Sequence, residues 1–198
     1  MEFRYSRYYV LSSKTLGWPE EELWLDHGFR KYSRLNDVRR RKLKEGQIIR
    51  VRNGSMKLVE GGTKKDLYTY RAYVSRVIDG DTFWAVLDLN LGARTRQKIR
   101  LRGVDTPELG TRKGKKVLEF VKKILPPTSF FILYSSRSEK FDRYLGDVFV
   151  PVHDQGRDLL KNSAPAGTES KIETVEGYSC WFLNNLLLER GLAVRAEE

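Results

Sequence analysis

Two acidic residues, Asp81 and Asp105, lie at turns that follow strand-like stretches of the sequence. Asp81 closes the Asp79-Gly80-Asp81 turn, and Asp105 ends a strand directly before Thr106 and a proline. Side chains at such turns can converge on a hard cation such as calcium, whose ligands are carboxylate, carbonyl and water oxygens. Asp81, Asp105 and the Thr106 backbone carbonyl are therefore candidate metal ligands. Taken by itself, Asp79-Gly80-Asp81 is better explained as a tight turn.

The charged residues around Asp105 suit the hydrolysis of a phosphodiester. Cleavage adds negative charge to the nonbridging phosphoryl oxygens, which a metal ion and arginine guanidiniums can stabilise. Arg100 and Arg102 precede Asp105 on one strand, and both point to the same side because strand side chains alternate. Glu108, three residues after Asp105, is a candidate base for an attacking water. Its alternative role is that of a capping acid at the start of a helix.

The elements that must position these residues are predicted to be mainly strands. Four strand segments are predicted, at 67–88, 95–104, 130–134 and 144–152. The first of these is interrupted by the turn at 79–81 and so supplies two strands. A helical stripe follows at 113–125, a long loop at 156–177 and a final amphipathic helix at 180–190. This order is typical of a five-stranded OB-type β-barrel with helices, so the predicted fold class is α+β, mainly β.

A small basic α+β element is predicted for residues 1–65, ahead of the barrel domain at 66–198. Its predicted elements are a strand at 3–12, a helix beginning at Pro19, a second helix at 36–44 and a hairpin turning at Asn53-Gly54. The cationic run at 39–44 is either a phosphate-binding surface or a solvated helix face. The sequence assigns this element no role, and recruitment of a protein or of extra nucleic acid is one hypothesis for it.

The charge of the chain favours a polyanionic partner. Its 198 residues carry 37 Lys and Arg against 26 Asp and Glu, a net charge of +11, which attracts DNA or RNA. No apolar run is long enough to span a bilayer and no signal peptide precedes the first strand, so a cytoplasmic protein without membrane association is expected; secretion stays open if the chain is a fragment. Cys180 is the single cysteine and is expected to be a buried apolar residue. The four tryptophans, Trp84 among them, are expected to serve packing rather than base stacking.

Four stretches of the sequence resemble the staphylococcal nuclease (thermonuclease) family. They are 77–82 (Val-Ile-Asp-Gly-Asp-Thr), 99–108 (Ile-Arg-Leu-Arg-Gly-Val-Asp-Thr-Pro-Glu), 140–148 (Lys-Phe-Asp-Arg-Tyr-Leu-Gly-Asp-Val) and the closing helix at 184–193. The resemblance covers about residues 70–195, in the family's order. Each stretch alone is a weak signal, but the four together are specific.

The resemblance implies a role for each matching position. Asp81, Asp105 and the Thr106 carbonyl would bind Ca²⁺. Asp79 would support these ligands without binding the ion itself. Glu108 would act as general base or orient the water. Arg100, rather than Arg102, falls on the family's first catalytic arginine and Arg143 on its second. Lys140 and Phe141 would contact substrate. The implied activity is endonucleolytic cleavage of DNA and/or RNA, with a single-stranded or flexible substrate expected, leaving 3′-phosphate ends.

The sequence also departs from the family pattern. Asp142 stands where the family usually has glycine, and Phe141 where it usually has tyrosine. Residues 156–177 form an insertion, and the C-terminal tyrosines of the best-known member have no counterpart. Some relatives keep the barrel but lose the chemistry. The alternative to a nuclease is therefore a noncatalytic nucleic-acid-binding module. The sequence leaves the oligomeric state open.

Overall fold

The computed structural model describes residues 6–35, 43–52, 55–63, 67–127, 129–139, 143–152 and 171–196. The chain divides into two compact units. The first contains the residues up to Thr69 together with Leu89–Leu91, and the second contains Tyr70–Asp88 and the chain from Gly92 onward. The boundary predicted between residues 65 and 66 falls within 64–66, outside the described residues.

The first unit is an antiparallel five-stranded sheet in the order β3-β2-β1-β4-β5. Its strands are β1 (Ser6–Ser12), β2 (Leu23–Asp26), β3 (Tyr32–Arg34), β4 (Ile48–Arg52) and β5 (Ser55–Leu58), and a one-turn helix α1 spans Ser13–Leu16. Alternate apolar side chains of these strands, such as Val10, Leu25 and Ile49, form a buried core. The pairing of β4 with β5 confirms the hairpin predicted around Asn53-Gly54, residues that themselves lie outside the described ranges.

The helix predicted to begin at Pro19 is wrong. Residues 19–22 are not helical, and the chain enters β2 at Leu23. Proline and glutamates favour a first helical turn locally, but the following residues pair with β1, placing Leu25 opposite Val10 in the buried sheet. The helix that does form, α1, precedes Pro19 and is capped by the Ser12 hydroxyl. Most of the second helix predicted at 36–44 lies outside the described residues, and its last two positions, 43 and 44, are not helical.

The second unit contains the predicted five-stranded OB-type barrel. Its strands are β6 (Thr69–Val77), β7 (Thr82–Asn90), β8 (Ala93–Leu101), β10 (Phe130–Glu139) and β11 (Arg143–Pro151). They run in the order β10-β6-β7-β8-β11, and pairing of β10 with β11 closes the barrel. The pairs β6–β7 and β10–β11 are antiparallel, whereas β8 and β11 are parallel.

Alternation of side chains fills the barrel interior. The inward residues of the first three barrel strands include Ala72, Phe83, Leu87, Ile99 and Leu101, each at most 1% exposed. A β-bulge between Val74 and Arg76 ends the regular alternation of β6. Strict alternation would place Arg76 on the inward face with Tyr70, Ala72 and Val74, but the extra residue turns Arg76 outward.

Helix α2 (Arg112–Ile124) lies between β8 and β10 along the chain, as predicted, and buries Val117, Val121 and Ile124. Between β8 and α2, the short strand β9 (Val104–Asp105) pairs with β14 (Val194–Arg195) near the end of the chain. Asp105 therefore lies in a hydrogen-bonded strand pair that joins two distant parts of the sequence.

The C-terminal part of the unit differs from the prediction. The segment 156–177 is not simply a loop, because its described end forms β12 (Ile172–Val175), which pairs with β13 (Tyr178–Phe182) and thereby extends the sheet next to β11. The final helix, α3, is Leu183–Glu189 rather than 180–190, since residues 180–182 pair with β11. Cys180 is fully buried, as predicted, and burial raises the pKa of its thiol to about 11. Within the described ranges, no helix is long and apolar enough to cross a membrane.

Candidate functional site

The β6–β7 turn is organised by the Asp79 carboxylate. Its Oδ1 accepts hydrogen bonds from the backbone N–H of Asp81 at 3.1 Å and of Thr82 at 2.7 Å. The backbone N–H of Asp79 in turn donates to the Thr82 carbonyl at 3.1 Å. Burial raises the pKa of Asp79, and the neighbouring Asp81 carboxylate adds to this. The Asp79 side chain thus stabilises the turn through hydrogen bonds to its backbone. The same turn places the like-charged carboxylates of Asp79 and Asp81 close together.

Asp81 connects this turn to the chain segment that follows β8. Its side chain is almost fully buried, with the residue 4% exposed. Oδ1 accepts from the Thr82 hydroxyl at 2.8 Å, and Oδ2 accepts from both the N–H and the hydroxyl of Thr106, at 3.1 and 3.2 Å. The Asp81 carbonyl accepts from the Leu101 N–H at 2.8 Å. Asp81 and Thr106, 25 residues apart, are therefore held in direct contact.

Gly80 allows the turn to lie close to Thr106 and helix α2. A Cβ at this position would be 2.6 Å from Val117 Cγ1 and 2.8 Å from Thr106 Oγ1, well inside ordinary contact distances. Only a glycine fits without displacing one of these groups. The glycine between the two aspartates is thus required by packing as well as by the turn.

Arg100 brings the two candidate metal-binding carboxylates together. Its Nη2 donates to Asp105 Oδ1 at 3.0 Å and lies 3.8 Å from Asp81 Oδ2. The Arg100 side chain is 21% exposed and that of Asp105 is 57% exposed, so these two side chains reach the protein surface while Asp81 beside them is buried. Arg102 makes a different contact, a 2.9 Å ion pair with Asp147 on β11. Of the two arginines that the sequence offered, Arg100 is the one beside both acids.

Glu108 lies on the connection between β9 and α2. Its backbone carbonyl accepts from the N–H and the hydroxyl of Thr111, at 2.9 and 2.8 Å, while its side chain is exposed. Helix α2 is capped by Thr111, whose hydroxyl accepts from the Gly114 N–H. Glu108 lies three residues before that cap, so its alternative role as the helix-capping acid is wrong. The Glu108 carboxylate therefore does not cap helix α2.

Arg143 is the first residue of β11, which pairs with β8, the strand that carries Arg100. The parallel register pairs Leu145 with Arg100, so Arg143 lies two residues before the partner of Arg100. Residues two apart on a strand, and residues paired across strands, share one face of a sheet. Arg143 and Arg100 therefore lie on the same face, with Arg143 half-buried. The predicted substrate contacts Lys140 and Phe141, and the unusual Asp142, lie outside the described residues.

The oxygen donors at this site suit a hard cation. Within the described ranges no group of three or more His, Cys, Asp or Glu side chains is placed to hold a metal ion. The candidate set consists of the Asp81 and Asp105 carboxylates and the Thr106 carbonyl, all of them oxygen ligands of the kind that Ca²⁺ takes. The Asp81 and Asp105 carboxylates both lie beside the single guanidinium of Arg100, and a divalent cation would offset the remaining negative charge. The donor atoms are therefore of the chemical type that calcium takes.

Three side chains that the sequence did not assign to the site, those of Thr82, Thr106 and Asn184, contribute to its geometry. The side chains of Thr82 and Thr106 donate to Asp81, a role signalled only by a hydroxyl next to each aspartate. Asn184, at 3% exposure, accepts from the Val148 N–H and donates to the carbonyls of Arg102 and Gly146, each at 3.0 Å. It joins helix α3 to β11 and to the end of the Arg100 strand.

No family model matches the chain, and no curated protein shows significant similarity to it.

Proposed function

We propose that this chain is a calcium-dependent phosphodiesterase of the staphylococcal nuclease type, cleaving DNA and/or RNA endonucleolytically to leave 3′-phosphate ends. One observation carries the proposal: Arg100 contacts Asp105 at 3.0 Å and lies 3.8 Å from Asp81, on an exposed edge of the barrel. A guanidinium beside two carboxylates from separate turns combines phosphate-binding and cation-binding groups at one place. The resemblance of the four motif stretches supports the same activity.

The arginines would bind the scissile phosphate. Arg100 retains N–H donors beyond the one that Asp105 accepts, because a guanidinium carries five. These donors, with those of Arg143 on the adjacent strand, would bind the nonbridging oxygens as negative charge grows on them. Calcium, when bound by Asp81, Asp105 and the Thr106 carbonyl, would supply further positive charge at those oxygens.

Glu108 would act on the attacking water. As an exposed carboxylate it can accept the water proton while the water oxygen bonds to phosphorus. The bond from phosphorus to the 5′ oxygen breaks, and a proton passes to that oxygen. The products are a 3′-phosphate and a 5′-hydroxyl, with the atoms of one water added. Asp79 takes no part in this step and maintains the turn that carries Asp81.

A noncatalytic nucleic-acid-binding module is the second candidate. It is favoured by the ion pair of Arg100 with Asp105, in which the guanidinium already satisfies part of the acidic charge. A site arranged in this way could bind a phosphate without a metal. The two candidates differ in calcium dependence and in the need for Glu108.

The test is digestion of a fluorescent single-stranded oligonucleotide with calcium or with chelator. Wild-type protein is expected to cleave only with calcium, and phosphatase treatment should retard the fragments that carry the 5′ label by removing the charge of a 3′-phosphate. Glu108→Gln is expected to lower the rate about 10²–10⁴-fold, the usual contribution of a general base. Arg100→Lys should also lower it strongly, because lysine cannot reproduce the guanidinium geometry.

Glu119→Gln is the matched control, since Glu119 is an exposed carboxylate on α2 that pairs with Lys122. It should retain the wild-type rate. Cleavage that persists in chelator and in Glu108→Gln would reject the assigned site. Binding without cleavage under all conditions would favour the noncatalytic module.

A further inference from the structure

A row of cations runs along the outer side of β8 toward Arg100. Residues 93–102 include five arginines and lysines and no acidic residue. Ile99 and Leu101 point into the barrel and are at most 1% exposed, so the alternate positions Arg94, Arg96 and Lys98 lie on the outer side with Arg100. Arg94 and Arg96 are exposed. Successive members of the row are about 7 Å apart along the strand.

Trp84 on the neighbouring strand β7 holds two of these cations. The guanidinium carbon of Arg96 lies 4.6 Å from the centre of the Trp84 ring, and Lys98 Nζ lies 5.4 Å from it. Both distances are within the range of cation–π attraction. Trp84 is only partly buried, and its ring lies against charged side chains rather than in the core. Trp84 thus packs against Arg96 and Lys98 at the surface, and whether it also stacks on a base stays a prediction.

The bulge in β6 completes this surface. Ser75 and Arg76 both turn outward there and are exposed, and Arg76 is the register partner of Trp84. The Ser75 hydroxyl accepts from Arg96 Nε at 3.2 Å, and also donates to the Trp84 carbonyl at 3.3 Å. Arg96 is thereby fixed at two points while its terminal N–H groups stay available. The β-bulge in β6 therefore places Ser75 where its hydroxyl orients the Arg96 guanidinium.

We propose that this surface, defined by Arg76, Arg94, Arg96, Lys98 and Trp84 and called the β8 track, binds the phosphates of a single-stranded nucleic acid beyond the scissile one. The partner is a flexible polyanion, because the cations lie in a line along one strand and a linear chain of phosphates can follow it. Trp84 is a positioning residue that holds Arg96 and Lys98 before the strand binds. The proposal deepens the proposed function, since it adds an extended substrate contact beside the Arg100 site.

The salt dependence of binding gives the expected size of the effect. Each phosphate neutralised on a single strand contributes about 0.7 to the slope of log K against log salt. Removing Arg96 and Lys98 should therefore lower the slope by roughly 1.4. If the variant and the wild type bind equally at 1 M salt, a slope lower by about 1.4 means that the variant binds about 25-fold more weakly at 0.1 M salt.

The experiment measures binding of a fluorescent oligothymidine by anisotropy, in chelator so that no cleavage occurs, across a series of salt concentrations. The variant Arg96→Ala/Lys98→Ala is compared with Lys115→Ala/Lys116→Ala, which removes two exposed cations from helix α2. We expect the slope to fall by about 1.4 in the first and the affinity to change less than about threefold in the second. Trp84→Ala should reduce affinity and Trp84→Phe should restore most of it, because phenylalanine keeps a π face.

Cleavage separates this proposal from the proposed function. A dinucleotide is too short to reach from Arg100 to Arg96, about 14 Å along the strand. The single variant Arg96→Ala should cleave a dinucleotide at the wild-type rate and a long oligonucleotide more slowly at low concentration. If nothing is cleaved but the salt slope falls as expected, the β8 track stands and the nuclease proposal fails.

Two results would overturn the β8 track. One is an equal loss of affinity in the two double variants, which would mean that only net charge matters. The other is displacement of the oligothymidine by polyglutamate as effectively as by unlabelled oligothymidine at equal charge, which would show no preference for nucleic acid.

Discussion

Replacing Gly80 by alanine is expected to damage both the stability and the activity of the protein. The added Cβ would lie 2.6 Å from Val117 Cγ1, about 0.9 Å short of an ordinary carbon–carbon contact of about 3.5 Å. It would also lie 2.8 Å from Thr106 Oγ1 and 2.9 Å from Thr106 Cβ, so moving away from helix α2 is blocked. Overpacking of this kind costs about 1–3 kcal/mol of unfolding free energy.

The loss of activity follows from the group that must move. Thr106 donates two hydrogen bonds to Asp81, so a shift of Thr106 displaces a candidate metal ligand. A misplacement of about 1 Å can cost about 10²-fold in rate. The expected result for Gly80→Ala is a rate about 10²-fold below wild type and a melting temperature lower by roughly 2–12 °C for a chain of this size.

The assays are thermal unfolding followed by circular dichroism and cleavage of a labelled oligonucleotide with calcium. Gly110→Ala is the matched control, because a Cβ at Gly110 meets no atom within 4 Å. It should be unchanged in both assays. A Gly80→Ala protein as stable and as active as Gly110→Ala would refute the argument that the turn packs tightly against Thr106.

Two further predictions concern stability. Asn184→Leu should lower the unfolding free energy by about 2–4 kcal/mol in urea titrations, since it removes the buried partner of the Val148 N–H and the Arg102 carbonyl, whereas Asn185→Ala should change it by less than about 1 kcal/mol. Equal effects of the two would contradict the role given to Asn184. Burial lowers the pKa of His27, so below about pH 6.5 the unfolded chain binds a proton at this residue more readily than the folded protein does. The free energy of unfolding should therefore fall as the pH drops below about 6.5, by up to about 1.4 kcal/mol per pH unit. In urea titrations at pH 7.5 and 5.5, His27→Gln should lose this pH dependence, and an unchanged dependence would refute it.

Much of the local structure could be predicted because its cause is local. Alternating side chains predicted the barrel strands, the apolar stripe predicted helix α2, and the Asp79-Gly80-Asp81 turn follows from a carboxylate that bonds to nearby N–H groups. Prediction failed where pairing with a distant strand outweighed local preference. The acidic segment after Pro19 leads into β2 instead of a helix because β1 offers it a buried partner.

The sequence by itself determined which residue types are available for phosphate and cation binding, and that strands would carry them. Because side chains alternate along a strand, Arg100 and Arg102 point to the same side. The local sequence therefore could not show which of them lies beside the acidic residues. The tertiary structure decided it, because barrel closure sets Arg102 beside Asp147 and Arg100 beside Asp105 and Asp81. Contacts of this kind join residues far apart in the chain, and they depend on strand register, which only the packed barrel fixes.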